Sequence, residues 1–195
     1  MQSNQNSYNK IANDFNDQRS KSKMNPYIEK FAEELPESGH VLDIGCGSGV
    51  PNAKYLVQSD FNLVGIDPSE ELIKLAEKNV PQAKFLNSGI LKFETDQKFD
   101  GIIAWDSLFH LKLDEHEEAF KKITSLLKPI GYFLFTHGGS EGEIESEMYN
   151  NEFYYSSPGP DKIKSMLQEL GYEILEWDLN MEEGNGYLIV LARKI

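Results

Sequence analysis

Two aspartates and a glycine-rich turn define the chemistry open to this chain. Asp43 interrupts the apolar run Val41-Leu42-Asp43-Ile44 directly ahead of Gly45-Cys46-Gly47-Ser48-Gly49, and Asp67 closes a second run, Leu63-Val64-Gly65-Ile66. An ionised carboxylate has two acceptor oxygens, which suits a vicinal diol. Glycines let the backbone turn sharply and let a ligand approach with no Cβ in the way. Loops that hold a dinucleotide space their glycines as G-x-G-x-x-G, whereas this one reads G-x-G-x-G. A turn serving packing alone would leave both acids unexplained. His110 titrates near working pH and is a candidate general base; the alternative is a structural histidine hydrogen-bonded beneath the site. Tyr8, Tyr154 and Tyr155 supply hydroxyls. The single cysteine, Cys46, rules out an internal disulfide and reads as a small residue in a crowded turn, since no base flanks it. No Cys, His and acid residues recur at metal-ligand spacing, so no metal is expected.

These residues need elements to position them. Val41 to Ile44 reads as a buried strand, and Val50 to Leu56 as the helix fed by the glycine loop, with Pro51 in a first turn that needs no donor there. Strand, glycine loop and helix form the ligand-holding corner of a doubly wound α/β sheet. Asn62 to Asp67 is a second strand, followed by a helix opened by Ser69. Ala83 to Asn87 is a third strand. Phe99 to Ala104 is a fourth, apolar nearly throughout, as a strand buried on both faces must be. Ligands in such sheets lie beyond the carboxyl ends of the strands, where Ala104, Trp105 and Asp106 fall.

At the N-terminus Tyr8, Ile11, Ala12 and Phe15 fall at helical intervals, Asn16 to Lys23 reads as a polar hinge, and Pro26 to Leu35 as a second helix. Asp114 to Leu127 is amphipathic, with Asp114 as its cap, and Tyr132 to Thr136 is a fifth strand. Residues 137–160 read as an irregular loop, of a length that usually carries function, with Glu141 to Glu147 on the surface. A helix follows from Pro160 to Leu170. Tyr172 to Asp178 and Gly186 to Ala192 are two terminal strands, with Leu179 to Asn185 turning the chain between them.

The segment Val41 to Gly49 resembles motif I of the class I S-adenosylmethionine-dependent methyltransferases. Val64-Gly65-Ile66-Asp67-Pro68-Ser69 is similar to that family's acidic-loop motif, V-G-I-D-x-S, and Phe99-Asp100-Gly101-Ile102 to its F-D-x-I. Ser107 to His110 resembles its s-x-x-H turn, and Leu127-Lys128-Pro129-Ile130-Gly131 its L-K-P-x-G run. Tyr8 to Phe15 looks like the Y-x-x-x-A-x-x-[YF] flap found ahead of motif I in small-molecule methyltransferases. The resemblance implies an α/β, Rossmann-like three-layer sandwich, its seven-stranded, mostly parallel sheet ending in an antiparallel strand. It implies a single domain over 1–195, a helical flap at 1–35 and an acceptor-side loop at 137–160.

S-adenosyl-L-methionine is the cofactor it implies. Asp43, Gly45, Cys46, Gly47 and Gly49 would surround that cofactor, with Asp67 on the ribose diol and Pro68 and Leu72 lining the adenine slot. Tyr8, and with it Arg19, would close over the ligand, and Ala104 and Trp105 would face it from the fourth strand. Many relatives carry an aspartate after the third strand, where this chain has Gly89; adenine would then rest on backbone near Gly89 and Ile90, or on Asn87 or Ser88. His110 and Tyr155 are the candidate catalytic residues, facing the acceptor. The run Phe153-Tyr154-Tyr155-Ser156-Ser157 resembles an F-Y-x-S-S element of a group of bacterial methyltransferases.

Composition narrows the partners. At 195 residues the chain suits one domain with a sizeable core, and 39% apolar content is globular. A net charge of -13 argues against a nucleic-acid backbone, which needs clustered Lys and Arg. The N-P-P-Y signature of DNA and protein amide methylases is missing after the fourth strand, which favours a small-molecule acceptor. No apolar run is long enough for a bilayer, and the polar start lacks the features of a signal peptide, so no membrane is expected and the cytoplasm is the default. Monomer or homodimer is the expected state. A non-catalytic protein that binds S-adenosylmethionine or a partner is the alternative, motivated by Gly89, and a nicotinamide-dependent reductase is disfavoured by the glycine spacing.

Overall fold

The computed structural model describes residues 4–181 and 186–195. The first three residues of the expected flap, and residues 182–185 of the expected turn between the last two strands, lie outside the described residues.

Alternating apolar residues build a sheet buried on both faces. Seven strands, β1 (His40–Ile44), β2 (Asn62–Asp67), β3 (Lys84–Asn87), β4 (Phe99–Ala104), β5 (Leu127–Gly138), β8 (Tyr172–Asn180) and β9 (Tyr187–Lys194), lie in the order β3-β2-β1-β4-β5-β9-β8. The first five pair in parallel, and β9 runs antiparallel to both its neighbours. Val41, Leu63, Ile103 and Leu134 point to one side, where α2 (Pro26–Glu34), α3 (Asn52–Gln58) and α4 (Glu70–Asn79) cover them. Their neighbours Leu42, Val64, Ile102 and Phe133 point to the other, against α5 (His116–Leu126) and α6 (Pro160–Glu169). The result is the expected three-layer sandwich. Phe31, Phe99 and Phe133 are fully buried between its layers, each burial contributing about 1.5–3 kcal/mol.

Three expectations change. First, α1 (Asn4–Arg19) takes in the first half of the segment expected to be a hinge, Asn16 to Arg19, and a turn follows at Ser20 and Lys21. Its last turns are held from outside: Asn16 Oδ1 accepts from Asn79 Nδ2 at 2.8 Å, and Tyr149 Oη donates to Gln18 at 3.1 Å. Second, α5 starts at His116, not Asp114. Leu113–Glu115 is a 3-10 turn, and Glu115, not Asp114, closes it by accepting the Lys112 backbone N–H at 2.9 Å. Third, residues expected as an irregular loop form a hairpin of β6 (Gly142–Met148) and β7 (Asn151–Ser157), a two-stranded sheet of its own. Tyr149 and Asn150 make its turn with φ of 50° and 56°, the mirror-image geometry that matches strand twist.

Candidate active site

The carboxyl ends of β1, β2 and β4 meet at one end of the sheet, as the parallel register requires. Leaving β1, the chain crosses the end of β2, where Gly45 and Cys46 N–H both donate to Ile66 O at 2.8 and 3.1 Å. Asp67 then ties the loop to the start of α4. Its Oδ2 accepts from Gly47 N at 3.0 Å and its Oδ1 from Ser69 N at 2.8 Å. Ser69 Oγ caps α4 by accepting from Leu72 N at 3.2 Å. Each Asp67 oxygen keeps a lone pair free for a hydroxyl.

Asp43 is 2% exposed, and its carboxylate accepts no hydrogen bond from the described residues. Burial pushes it up to about 7, Asp67's charge adds to the rise, and Arg19 opposes it. Burial also raises Asp67, to about 6, against the pull of the Ser69 and Gly47 N–H groups. Both acids line a cavity of about 280 Å³. Pro68, Leu72, Gly89 and Ile90 line it, as do Trp105, Ser107 and the flap residues Tyr8, Phe15 and Arg19.

The glycines differ in what they do. A Cβ on Gly45, at φ +71°, would stand 2.3 Å from the Ser107 Cβ, so this glycine is required by β4's exit and not by a ligand. Ser107 Oγ donates to Ile44 O at 2.7 Å and fixes that approach. A Cβ on Gly89 would meet nothing within 4 Å and would point into open space beside Ile90. Gly49 packs on Ala76 and Val80, Ala104 is fully buried in the sheet, and neither lines the cavity. The Asn87 amide is engaged, donating to the Asp67 and Pro68 carbonyls at 3.0 and 2.8 Å. The remaining expected cofactor residues, Tyr8, Asp43, Gly45, Cys46, Gly47, Asp67, Pro68, Leu72, Gly89, Ile90 and Trp105, come together around the one cavity.

His110 lines it too, but both ring nitrogens are taken. Asn4 is fixed by the Tyr154 backbone, its Oδ1 accepting from Tyr154 N at 2.8 Å and its Nδ2 donating to Tyr154 O at 2.7 Å. Its second amide hydrogen faces His110 Nδ1 at 2.8 Å. His110 Nδ1 also lies 3.1 Å from Tyr154 O, which can only accept, and Nε2 pairs with Tyr8 Oη at 2.9 Å. Burial pulls His110 down to about 4, so the ring is neutral. Burial pushes the pKa of the Tyr8 phenol well up.

Tyr155 lines a second cavity of about 400 Å³, with Phe109, Ile144, His137 and Tyr187. Behind its wall runs a buried row whose donor roles are fixed by its ends. Gly138 N–H donates to His137 Nδ1 at 2.9 Å, leaving His137 Nε2–H to face His116 Nδ1 at 3.3 Å. His116 Nε2–H donates to Ser156 Oγ at 2.9 Å, and Ser156 donates to Leu111 O at 2.7 Å. Burial lowers His116 to about 4 and His137 to about 3.

Asp106 borders both cavities. Its φ is +53°, uncommon for a residue with a side chain. Its Oδ1 accepts from Tyr187 Oη at 2.7 Å and Thr136 Oγ1 at 3.2 Å, and Arg19 Nη1 reaches Oδ2 at 3.4 Å. Asn4 and Asp106 belong to the site without a sequence motif of their own to mark them. Among the described residues no group of His, Cys, Asp and Glu could hold a metal ion, and no helix is long and apolar enough to cross a membrane.

A family model described as a methyltransferase domain matches residues 15–176. A putative methyltransferase of Bacillus subtilis, YqeM, is 31% identical over 134 residues, covering 66% of this chain and 54% of that protein. The trans-aconitate 2-methyltransferase of Escherichia coli O157:H7 is 32% identical over 165 residues, 78% of this chain and 64% of its own length. The chain thus spans between about half and two thirds of these curated relatives. Among solved structures, a SAM-dependent methyltransferase of Methanosarcina mazei aligns over 89% of this chain and 99% of its own, with a TM-score of 0.76 at 21% identity.

Proposed function

The chain belongs to the methyltransferase-domain family, and from that premise we propose that it moves a methyl group from S-adenosylmethionine to a small-molecule acceptor by in-line displacement. The observation that carries this reading is Asp43, a buried carboxylate that accepts no hydrogen bond from the described residues, lining one cavity with Asp67. A ligand that brings both a diol and positive charge satisfies both acids at once. When bound, the cofactor supplies a methyl carbon on a sulfonium, whose C–S bond breaks as the acceptor's lone pair attacks, leaving a neutral thioether.

Asp67 would accept from the ribose hydroxyls, and Asp43 would balance the positive charge. Pro68, Leu72 and Ile90 would flank the adenine, with Gly89 leaving room for it. Helix α1 excludes water by closing over the cavity, held by Asn9 Oδ1 to Ser69 Oγ at 2.7 Å and by Asn4 and Tyr8 at His110. His110 acts here as the positioning residue for Tyr8, whose hydroxyl it holds at 2.9 Å. Tyr155 forms part of the acceptor wall. Alignment of donor and acceptor is the main contribution of such a site, worth ~7–11 kcal/mol. A small acceptor is supported by the Escherichia coli relative, which is named for one.

Calorimetry with S-adenosylmethionine tests the reading. The wild-type chain binds and Asp67→Ala does not; equal affinities refute it. Release of S-adenosylhomocysteine over a panel of amines, phenols, thiols and carboxylates then separates an enzyme from a binding protein that holds the cofactor without turnover.

A further inference from the structure

The second cavity carries a chemical signature the methyl-transfer reading does not assign. It adjoins the cofactor cavity, sharing Asp106, and is large enough for a ligand of drug-fragment size at about 400 Å³. Phe109, Tyr155 and Tyr187 give it aromatic walls, with ring centroids of Phe109 and Tyr155 5.6 Å apart. Ile144, 46% exposed, stands at its mouth. Asp106, Glu141 and Glu143 line it, and none of the described lining residues is Lys or Arg. Arg19 approaches Asp106 from the cofactor side, at 3.4 Å, and does not line the second cavity.

We propose that this cavity recognises an acceptor carrying an ammonium group on an aromatic or alkyl body, with the Asp106 carboxylate as its counter-ion. The proposal rests on the methyltransferase reading and names the class of acceptor. A cation beside Asp106 gains from the carboxylate and from the ring faces of Phe109 and Tyr155. A carboxylate or phosphate there would face three acids with no Lys or Arg among the described lining residues, a mismatch that discriminates against it. Tyr187 and Thr136 occupy only Oδ1 of Asp106, so Oδ2 is shared between Arg19 and the incoming group. His137 at the back wall accepts from Gly138 and donates to His116, so it presents a neutral ring rather than a competing positive charge.

The test uses the whole chain saturated with S-adenosylhomocysteine and three probes of matched shape: phenethylamine, 2-phenylethanol and 3-phenylpropionate. Binding is read by calorimetry or ligand-observed NMR at pH 7.5. The expected order is amine first, at least ~10-fold tighter than the carboxylate, with the amine's advantage shrinking as salt is raised. Asp106→Asn should weaken the amine by about 10-fold and leave the alcohol within twofold. Amine binding no tighter than the carboxylate, including no binding at all, overturns the proposal, and so does an amine preference that Asp106→Asn leaves intact. The wild-type ranking stands whether or not the variant folds. Failure of S-adenosylhomocysteine itself to bind would instead refute the underlying methyltransferase reading.

Discussion

Acid should loosen the hold of Asp43 on a cationic ligand, by an amount its burial sets. Its carboxyl is pushed up to about 7 in the ligand-free protein, so as pH falls through that value the ionised form is lost. A ligand that needs the carboxylate must first displace the proton. At pH 5, two units below, that costs ~2.7 kcal/mol, or about 100-fold in affinity. Asp67, near 6, adds up to about another tenfold if its charged form is needed too. Between pH 5 and 7 the ligand's α-amino and α-carboxyl groups keep their own charges, so the trend belongs to the protein. Titration calorimetry with S-adenosylmethionine at pH 5, 6, 7 and 8, in two buffers of different ionisation enthalpy, reads both the affinity and the proton released. Asp43→Asn should bind more weakly at pH 8 and lose the 100-fold part of the slope. A wild-type affinity that moves by less than about threefold from pH 8 to pH 5 would refute the charge-balancing role of Asp43.

Other outcomes follow from the same geometry. His110, His116 and His137 are held neutral, with pKa values lowered to about 4, 4 and 3. Their stabilisation is complete above ~6.5 and fades as pH falls, by ~1.4 kcal/mol per unit for each. Asp43 and Asp67, raised above their unfolded values, act in the opposite sense. Near pH 5 three histidines against two aspartates leave about one proton, so urea melts of the free chain should lose ~1.4 kcal/mol per pH unit. His137→Phe should flatten that slope, and an unchanged slope would show that the residue is not buried neutral. Gly45→Ala should lower the denaturation midpoint by ~3 kcal/mol or more in equivalent stability, because its Cβ would collide with Ser107. Gly89→Ala should stay within ~1 kcal/mol of wild-type stability yet bind cofactor about 10-fold more weakly, since its Cβ enters open space; normal affinity would remove Gly89 from the adenine slot. His110→Gln should raise amide exchange across α1 and weaken cofactor binding ~10-fold, while the pH–rate profile between 6 and 8 keeps its shape. A lost inflection in that range would restore His110 as a general base.

The cofactor half was legible because its groups are close in sequence and bound to strand ends. Asp43, the glycines and Asp67 fall within 25 residues, and the alternation of Val41 and Leu42 or Ile102 and Ile103 announces a sheet covered on both faces. The acceptor half was not legible, for three physical reasons. Strand β6 is exposed along nearly its whole length, so its alternating glutamates mark no buried face. Asp106 takes a left-handed backbone that no glycine advertises, and its partner Tyr187 is 81 residues away. Asn4 sits in a polar helix and finds Tyr154 and His110 only after folding. His110 was visible, but its role depends on which nitrogen each neighbour occupies, and sequence does not carry that.

The hairpin of β6 and β7 pairs with no strand of the main sheet. Its register is therefore set independently of the seven-stranded sheet. A change at Ile144, which lines only the second cavity, would reshape that chamber, whereas a change of tip or twist would also pull on α1 through Tyr149 and Tyr154. On the proposed function, side-chain changes along β6 are thus the route by which acceptor choice could vary while the turn between β1 and β2 stays as it is.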